Sequence, residues 1–393
     1  MNKWETEFLR KLVELDTNSV EKLNYPQCAE VLMDYCKDAG LEVEVFDSED
    51  GGISQPNVVA TMDVGAEKTV LLCTHYDIVP AGEREEWTRD PFALTVEKGK
   101  AYGRGVSDDK GNVVAAVSAA KELIANGTSK VNLKILISPN EEVGGEYGID
   151  YLINGPPTIR GDFAVVVDSG PEYVSIGASG VVAGAITIKG KQGHAGYPFM
   201  FRNAIHLSLP FLDEIMRFSD ARQNVESMVP APPGSPHRNL WGRFSITMYN
   251  AGTKTNVIPG KAQICFDLRL IPEEKSEDII NEFETFFESV KEETFVDADL
   301  EIKHKIDGWS TDPQHPMVTS FHAAAKEVVS PDIALCGELG GNDGTYFRKV
   351  GIPTVCYGVI ARDCNFHGVD EFMRLADFDK VKNLLIRFAE TGA

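Results

Sequence analysis

Three short runs constrain the fold of this chain more than any other feature: TVLLC at 69–73, VNLKILIS at 131–138 and FAVVVD at 163–168. Each is almost continuously apolar and rich in Val, Ile and Leu. A strand with one wet face alternates apolar and polar residues, whereas a strand covered on both faces does not. Between the first two runs lies GNVVAAVSAAKELIANG, a helical pattern that Gly127 stops. Apolar strands separated by helices argue for an α/β fold around a mostly buried sheet. LEVEVF at 41–46 and NVVATM at 57–62 add two β-type runs. Two helices open the chain. The first carries Trp4, Phe8, Leu12 and Leu15 at helical spacing, and the second runs over 27–39 before Gly40.

From about Gly180 the texture changes. A strand at 181–190, a helix at 201–218, strands at 243–252 and 261–270, a helix from 276 with Ile279, Phe283, Phe286 and Val290 on one face, and a strand at 299–306 follow in turn. The order β-α-β-β-α-β is that of a ferredoxin-like α+β unit. After about Asp307 the α/β texture returns, with a helix near 316–329, the strand TVCYGV and a last helix over 377–390. The expectation is a discontinuous domain, 1–179 and 307–393, interrupted by an inserted unit at 180–306. The Pro-rich stretch 229–239 reads as a surface loop of the insert.

Acids outnumber bases 60 to 38, giving a formal charge of −22, which disfavours nucleic acid and anionic membranes as partners. The seven cysteines, 28, 36, 73, 265, 336, 356 and 364, form no C-x-x-C pair, and several sit in apolar runs. They read as reduced thiols in a cytoplasmic protein, an expectation joined by the absence of a signal-like N-terminus or a spanning apolar stretch.

The three buried runs end suggestively. The first runs into Thr74-His75-Tyr76-Asp77, the second into Pro139-Asn140-Glu141-Glu142, the third into Asp168. Ligand sites of open α/β sheets lie outside the carboxyl ends of the strands. Like-charged carboxylates gathered there repel unless protonated or neutralised by cations, and imidazole with carboxylate suits Zn²⁺ and similar ions. Taken singly, each has a plainer reading: His75 as a strand end, Glu141-Glu142 as an exposed loop pair, Asp108 as a helix N-terminal acid before GNVVAAV, a reading that Asp109 fits better. The chain contains no H-E-x-x-H, G-x-S-x-G, G-x-x-x-x-G-K-[ST] or G-x-G-x-x-G, so helix-borne zinc, serine-nucleophile, NTPase and dinucleotide chemistries lose ground.

In sequence order stand HYDIVP at 75–80, W-x-x-D-P-F at 87–92, GRGVSDDKG at 103–111, EEVGG at 141–145, Asp168, G-x-x-x-H-A-G-x-P from Gly190, GTKTNVIPG at 252–260, DLR at 267–269 and His367. This set resembles the co-catalytic zinc metallohydrolase family of aminoacylases, acetylornithine deacetylase, succinyl-diaminopimelate desuccinylase, glutamate carboxypeptidase and di- and tripeptidases, over nearly the whole chain. The resemblance implies a zinc-exopeptidase-like α/β/α catalytic domain interrupted by a ferredoxin-like lid through which the chain forms a homodimer. It implies two divalent metal ions, zinc by default with cobalt or manganese as substitutes. Asp108 would bridge them, His75 and Asp168 would complete one site, and Glu142 and His367 the other. Asp77 would orient the His75 ring. Glu141 would be the general base that takes a proton from the attacking water and hands it to the leaving amine. His194 would stabilise the oxyanion from the lid, reaching across a dimer, and Asn256 would contact the substrate or the oxyanion. The peptide after Asp108 would be cis. Arg269 would hold the substrate carboxylate or pair with Asp267, and the loop 337–347 with Gly341 would line the substrate pocket. The remaining histidines, 206, 237, 304, 315 and 322, read as structural or solvated.

The implied reaction is hydrolysis of an amide in a small substrate bearing a free carboxylate. Asp109 and Asp168 resemble the dipeptidase branch and favour a di- or exopeptidase. GTKTNVIPG resembles the desuccinylases and keeps an N-acyl amino acid deacylase close behind. A non-catalytic relative that binds a ligand through its lid is the third reading, disfavoured because Glu141 and all five expected ligands are present.

Overall fold

A computed structural model describes residues 1–392. The chain divides into two compact units: Met1–Ile176 with Thr311–Cys336 and the segment from Asn342, and Gly177–Ser310 with Gly337–Gly341. The division differs from the expected boundaries by a few residues and in one segment. Gly337–Gly341, read as part of the outer domain, groups with the inserted unit.

The first unit is built on a mixed sheet with strand order Glu42–Asp50, Ile53–Met62, Asn132–Ser138, Thr69–His75, Phe163–Val166, Thr354–Cys356 and Tyr173–Ala178. Strand Thr69–His75 runs parallel to both of its neighbours, with Cys73 level with Leu136 on one side and Val166 on the other. The chain leaves this strand for one side of the sheet and returns to the other, so His75 stands at a switch point, where adjacent connections part and leave a crevice. The three apolar runs are buried along nearly their whole length. Helix Lys110–Asn126 covers the sheet and packs against Leu375–Thr391. It ends on Gly127 at φ +63°, the left-handed conformation that glycine reaches without strain.

Helix Lys3–Val13 is stapled by a capping box between Asn2 and Glu5. It stops two residues short of the expected Leu15, whose carbonyl instead accepts from Lys110 Nζ at 2.8 Å, as does that of Leu12 at 2.9 Å. A small sheet of Thr95–Glu97, Lys100–Tyr102 and Phe372–Arg374 went unread in the sequence, because three-residue strands carry too little periodicity.

In the second unit, strands Arg243–Ala251, Lys261–Leu270, Gly180–Lys189 and Ala298–Ile306 form an antiparallel sheet in that order. Helices Ala204–Arg222 and Ser276–Thr294 cover one face. Phe211, Phe218, Phe244, Phe266 and Phe283 fill the core between them. On the second helix the buried stripe runs through Ile279, Phe283, Phe287 and Val290, and the expected Phe286 lies only partly buried beside it. The Pro-rich stretch turns between two short paired strands, Glu226–Pro230 and Asn239–Trp241.

Candidate metal centre

All the expected ligands lie in the first unit, on connections that follow its strands. His75 is the last residue of its strand, with its ring buried. Its Nε2 lies 3.1 Å from Asp108 Oδ1 and 3.9 Å from Asp168 Oδ2. Asp108 turns its other oxygen to His367, Oδ2 to Nε2 at 3.0 Å, and the same Nε2 lies 3.2 Å from Glu142 Oε2. Two groups therefore share Asp108: His75–Asp108–Asp168 and Asp108–Glu142–His367, with their ligand atoms within 4.8 Å of one another. Glu141 approaches the same place, its Oε2 4.0 Å from His75 Nε2. The peptide between Asp108 and Asp109 is cis, and His367 takes φ +61°.

The supports are as specific as the ligands. Asp77 is fully buried. Its Oδ1 lies 3.3 Å from His75 Nδ1, and its two oxygens accept the backbone N–H groups of Glu141 and Glu142, each at 3.2 Å. One carboxylate thus ties the turn after one strand to the histidine ending its neighbour. Asp109 starts helix Lys110–Asn126 but does not cap it. Its carboxylate accepts the backbone N–H of His75 at 3.0 Å and Asn112 Nδ2 at 2.6 Å. Asp109 thus stands at the helix start, as read from the sequence, while its side chain serves the buried His75 amide and not the helix N-terminus.

Glu371 has no motif around it and was missed. It is fully buried and gathers the loop before Asp108. Oε2 accepts from Arg104 Nη1 at 2.6 Å and Gly105 N at 3.1 Å. Oε1 accepts from Ser107 N at 2.9 Å, Ser107 Oγ at 2.8 Å and Asp108 N at 3.3 Å. Asp343, in the glycine-rich loop, was missed too. It is buried, accepts from Cys73 Sγ at 3.7 Å, and burial pushes its carboxyl up to about 7.

Protonation reflects this crowding of acids. Burial, then the charge of Asp168, pushes the Glu141 carboxyl well above the usual carboxylate range. Burial and the charge of Asp108 raise the Glu142 carboxyl as well. Burial opposes a charge on His75, yet its hydrogen bonds to Asp108 and Asp77, with the charges of Asp109 and Asp168, together hold the imidazole well above its ordinary value. Hydrogen bonds to Asp108 and Glu142 lift His367 to about 10. The acids thus take up protons as counter-charge, the task divalent cations perform in such clusters. Glu142 Oε1 is buried and accepts no hydrogen bond, an orphaned anionic oxygen aimed at no protein donor. The donor set, imidazole nitrogen and carboxylate oxygen, fits divalent metal ions.

The lid candidates lie in the second unit. His194 is exposed and pairs in a short ladder with Val257, Ala195 N donating to Asn256 O at 3.0 Å, so His194 and Asn256 are neighbours. Arg269 donates from Nε to Asp267 Oδ1 at 2.7 Å. Gly341 is exposed in the segment beside Ser179 and Val181.

An α/β sheet that delivers imidazole and carboxylates from adjacent strand ends has the donor set of a divalent metal centre. A succinyl-diaminopimelate desuccinylase of Xanthomonas oryzae pv. oryzae is 31% identical over 355 residues, covering 84% of each chain. Among solved structures, an M20 family metallo-carboxypeptidase from Sulfolobus solfataricus matches at a TM-score of 0.83 and 18% identity, covering 99% of both chains. A di-peptidase from Saccharomyces cerevisiae matches at 0.79 and 18% identity, covering 98% of this chain and 95% of the other. The sequence profile of peptidase family M20/M25/M40 spans residues 71–391, and the chain belongs to that family. Among the described residues, no helix is long and apolar enough to cross a membrane.

Proposed function

We propose that this protein is a cytoplasmic, dinuclear metal-dependent peptidase that cleaves the amide bond of short peptides bearing a free carboxylate. The observation that carries the reading is Asp108, whose two oxygens face His75 and His367 at 3.1 and 3.0 Å. One carboxylate so placed would serve two ions, with Asp168 completing the His75 site and Glu142 the His367 site. Zinc suits the set, and cobalt or manganese would serve the same ligands.

When bound, the ions supply Lewis acidity, which makes water a stronger acid and polarises a carbonyl. The chain's residues do the rest. Glu141 stands beside the ligands without being required as one, its Oε2 4.0 Å from His75 Nε2, and would act as the general base toward water and then as the acid toward the leaving amine. Asp77 holds the His75 ring and the Glu141-Glu142 turn in one register. His194 and Asn256, side by side in the second unit, supply donors to the oxyanion. A homodimer through that unit would bring His194 to its work.

The carboxypeptidase and di-peptidase likenesses, with Asp109 and Asp168, support the peptidase reading. The desuccinylase relative supports a second one, deacylation of N-acyl amino acids. Amine release from dipeptides, tripeptides, N-acetyl and N-succinyl amino acids, with zinc-, cobalt- and manganese-loaded protein and Glu141→Gln as blank, decides between them. Turnover of free-amine peptides supports the first, and turnover of only the acylated compounds the second. No turnover by protein carrying two metals overturns both.

A further inference from the structure

The W-x-x-D-P-F motif at 87–92 takes no part in the chemistry above, yet it lies against both loops that carry Asp108 and His367. Trp87 is buried, its Nε1 donates to Ala81 O at 2.8 Å, and the guanidinium carbon of Arg104 lies 5.1 Å from its ring centre. Asp90 Oδ1 accepts from Phe92 N at 2.9 Å and closes the turn, and Pro91 O accepts from Arg104 N at 2.8 Å. These bonds seat the motif on the loop that ends in Asp108.

The other loop, 364–372, carries His367. Phe372 N donates to Cys364 O at 2.9 Å and closes its base, which Cys364 Sγ ties to Ser107 Oγ at 3.5 Å. Between these ends Asn365, His367 and Asp370 stand at φ +57°, +61° and +56°. Residues with a Cβ seldom adopt that left-handed region, and they hold it where their surroundings over-determine it. Packing does little to hold His367, whose side chain is 48% exposed against 1% for His75.

The motif supplies a hold. Thr88 N and Thr88 Oγ1 donate to the two oxygens of Asp370, each at 2.9 Å. Arg89 Nη1 donates to the same Oγ1 at 2.9 Å, while Arg89 is itself held by Glu97 and lies 4.0 Å from the ring centre of Tyr102. With Arg89 donating to it, the Thr88 hydroxyl directs its proton to Asp370. The next residue, Glu371, grips the loop before Asp108, so two adjacent acids fasten the His367 loop to two different segments.

We propose that Thr88 and Asp370 form a latch that positions His367, so that the W-x-x-D-P-F loop sets the geometry of the Glu142–His367 metal site. Both are positioning residues, and neither is a metal ligand. The proposal rests on the two-metal reading above and not on which amide is cleaved. A latched loop presents His367 ready to bind. An unlatched loop presents it for a fraction of the time, and affinity falls by that fraction.

The test is calorimetric titration of metal-free protein with Co²⁺. Thr88→Val removes the hydroxyl and leaves the sequence of the 364–372 loop untouched. One of the two ions should bind about tenfold more weakly, the scale of one hydrogen bond to a charged group, and the other within twofold of wild type. Thr88→Ser should restore both, which a loss of general packing would not predict. His367→Ala should weaken the same ion, and adding Thr88→Val to it should change nothing further, since both act through one side chain. Asp370→Asn, which tolerates the left-handed backbone and loses the charge, should weaken that ion several-fold, and it decides the matter should Thr88→Val fold poorly by circular dichroism. Both ions within twofold of wild type in Thr88→Val and Asp370→Asn would overturn the latch, as would equal weakening of the two. Thr88-dependent binding of one of two ions, in a protein that turns over no amide, would leave the latch standing and remove the proposed function.

Discussion

Glu371 gives the sharpest test of how the metal centre is held. Glu371→Gln keeps the volume of the side chain and replaces one acceptor oxygen with an NH2 group. With the amide nitrogen in the place of Oε2, Arg104 and Gly105 lose their acceptor. With it in the place of Oε1, the backbone N–H groups of Ser107 and Asp108 lose theirs, while the Ser107 hydroxyl can turn to accept. Each buried donor left without a partner costs about 1–3 kcal/mol. Removing the counter-charge of a buried arginine alone costs about 3–5 kcal/mol. The terms overlap, and the expected loss is about 4 kcal/mol, a large share of the roughly 5–15 kcal/mol that holds a typical domain. The assay is urea unfolding of metal-free and metal-loaded protein, followed by far-ultraviolet circular dichroism, with metal affinity measured alongside. The variant should unfold at markedly lower urea, and its metal affinity should fall because the loop presenting Asp108 is released. Ser107→Ala, which removes one of the five donor contacts, should cost only about 1 kcal/mol. Should Glu371→Gln unfold within about 1 kcal/mol of wild type and keep its metals, the account of this carboxylate as the clamp of the 104–108 loop is wrong.

Glu141→Gln should retain both metals by elemental analysis yet lose turnover by several orders of magnitude, and normal turnover would remove Glu141 from the chemistry. His194→Ala should lower kcat with metal content unchanged; loss of metal in that variant would contradict its placement in the second unit. Metal binding should release protons at neutral pH, because His367 is lifted to about 10 in the metal-free protein and must give up its proton to become a ligand. Affinity should therefore climb as pH rises toward that value. The same raised value means that what His367 adds to metal-free stability is fully present below the ordinary imidazole range and fades as pH passes through about 10. Calorimetry in buffers of differing ionisation enthalpy measures the released protons, and zero release at neutral pH would exclude His367 as a ligand.

Much of the molecule was legible beforehand because its signals are local. Continuous apolar runs mark a strand buried on both faces, and Gly127 marks where a helix must stop. The β-α-β-β-α-β order of the insert followed from periodicity alone. The ligand candidates His75, Glu141, Glu142 and Asp168 were visible because each follows directly on a buried strand. His367 had no such strand before it and entered through resemblance. Asp109 was legible as the acid at a helix start, but not as the acceptor of the buried His75 amide, because that contact joins distant segments.

What escaped notice depends on contacts between distant segments. Neither the Glu371 clamp nor the burial of Asp343 leaves a periodic trace, and no pattern announces that Arg243 faces Arg269. Strand periodicity assigns a residue to a face, but only pairing register says which residue stands opposite it. The chain by itself determined which elements form and which strand ends carry acids and imidazoles, because those properties arise from neighbours within a few residues. Only the tertiary structure decided that the two oxygens of Asp108 meet His75 and His367, because that meeting joins residues 33 and 259 positions away in the chain, which no local pattern encodes.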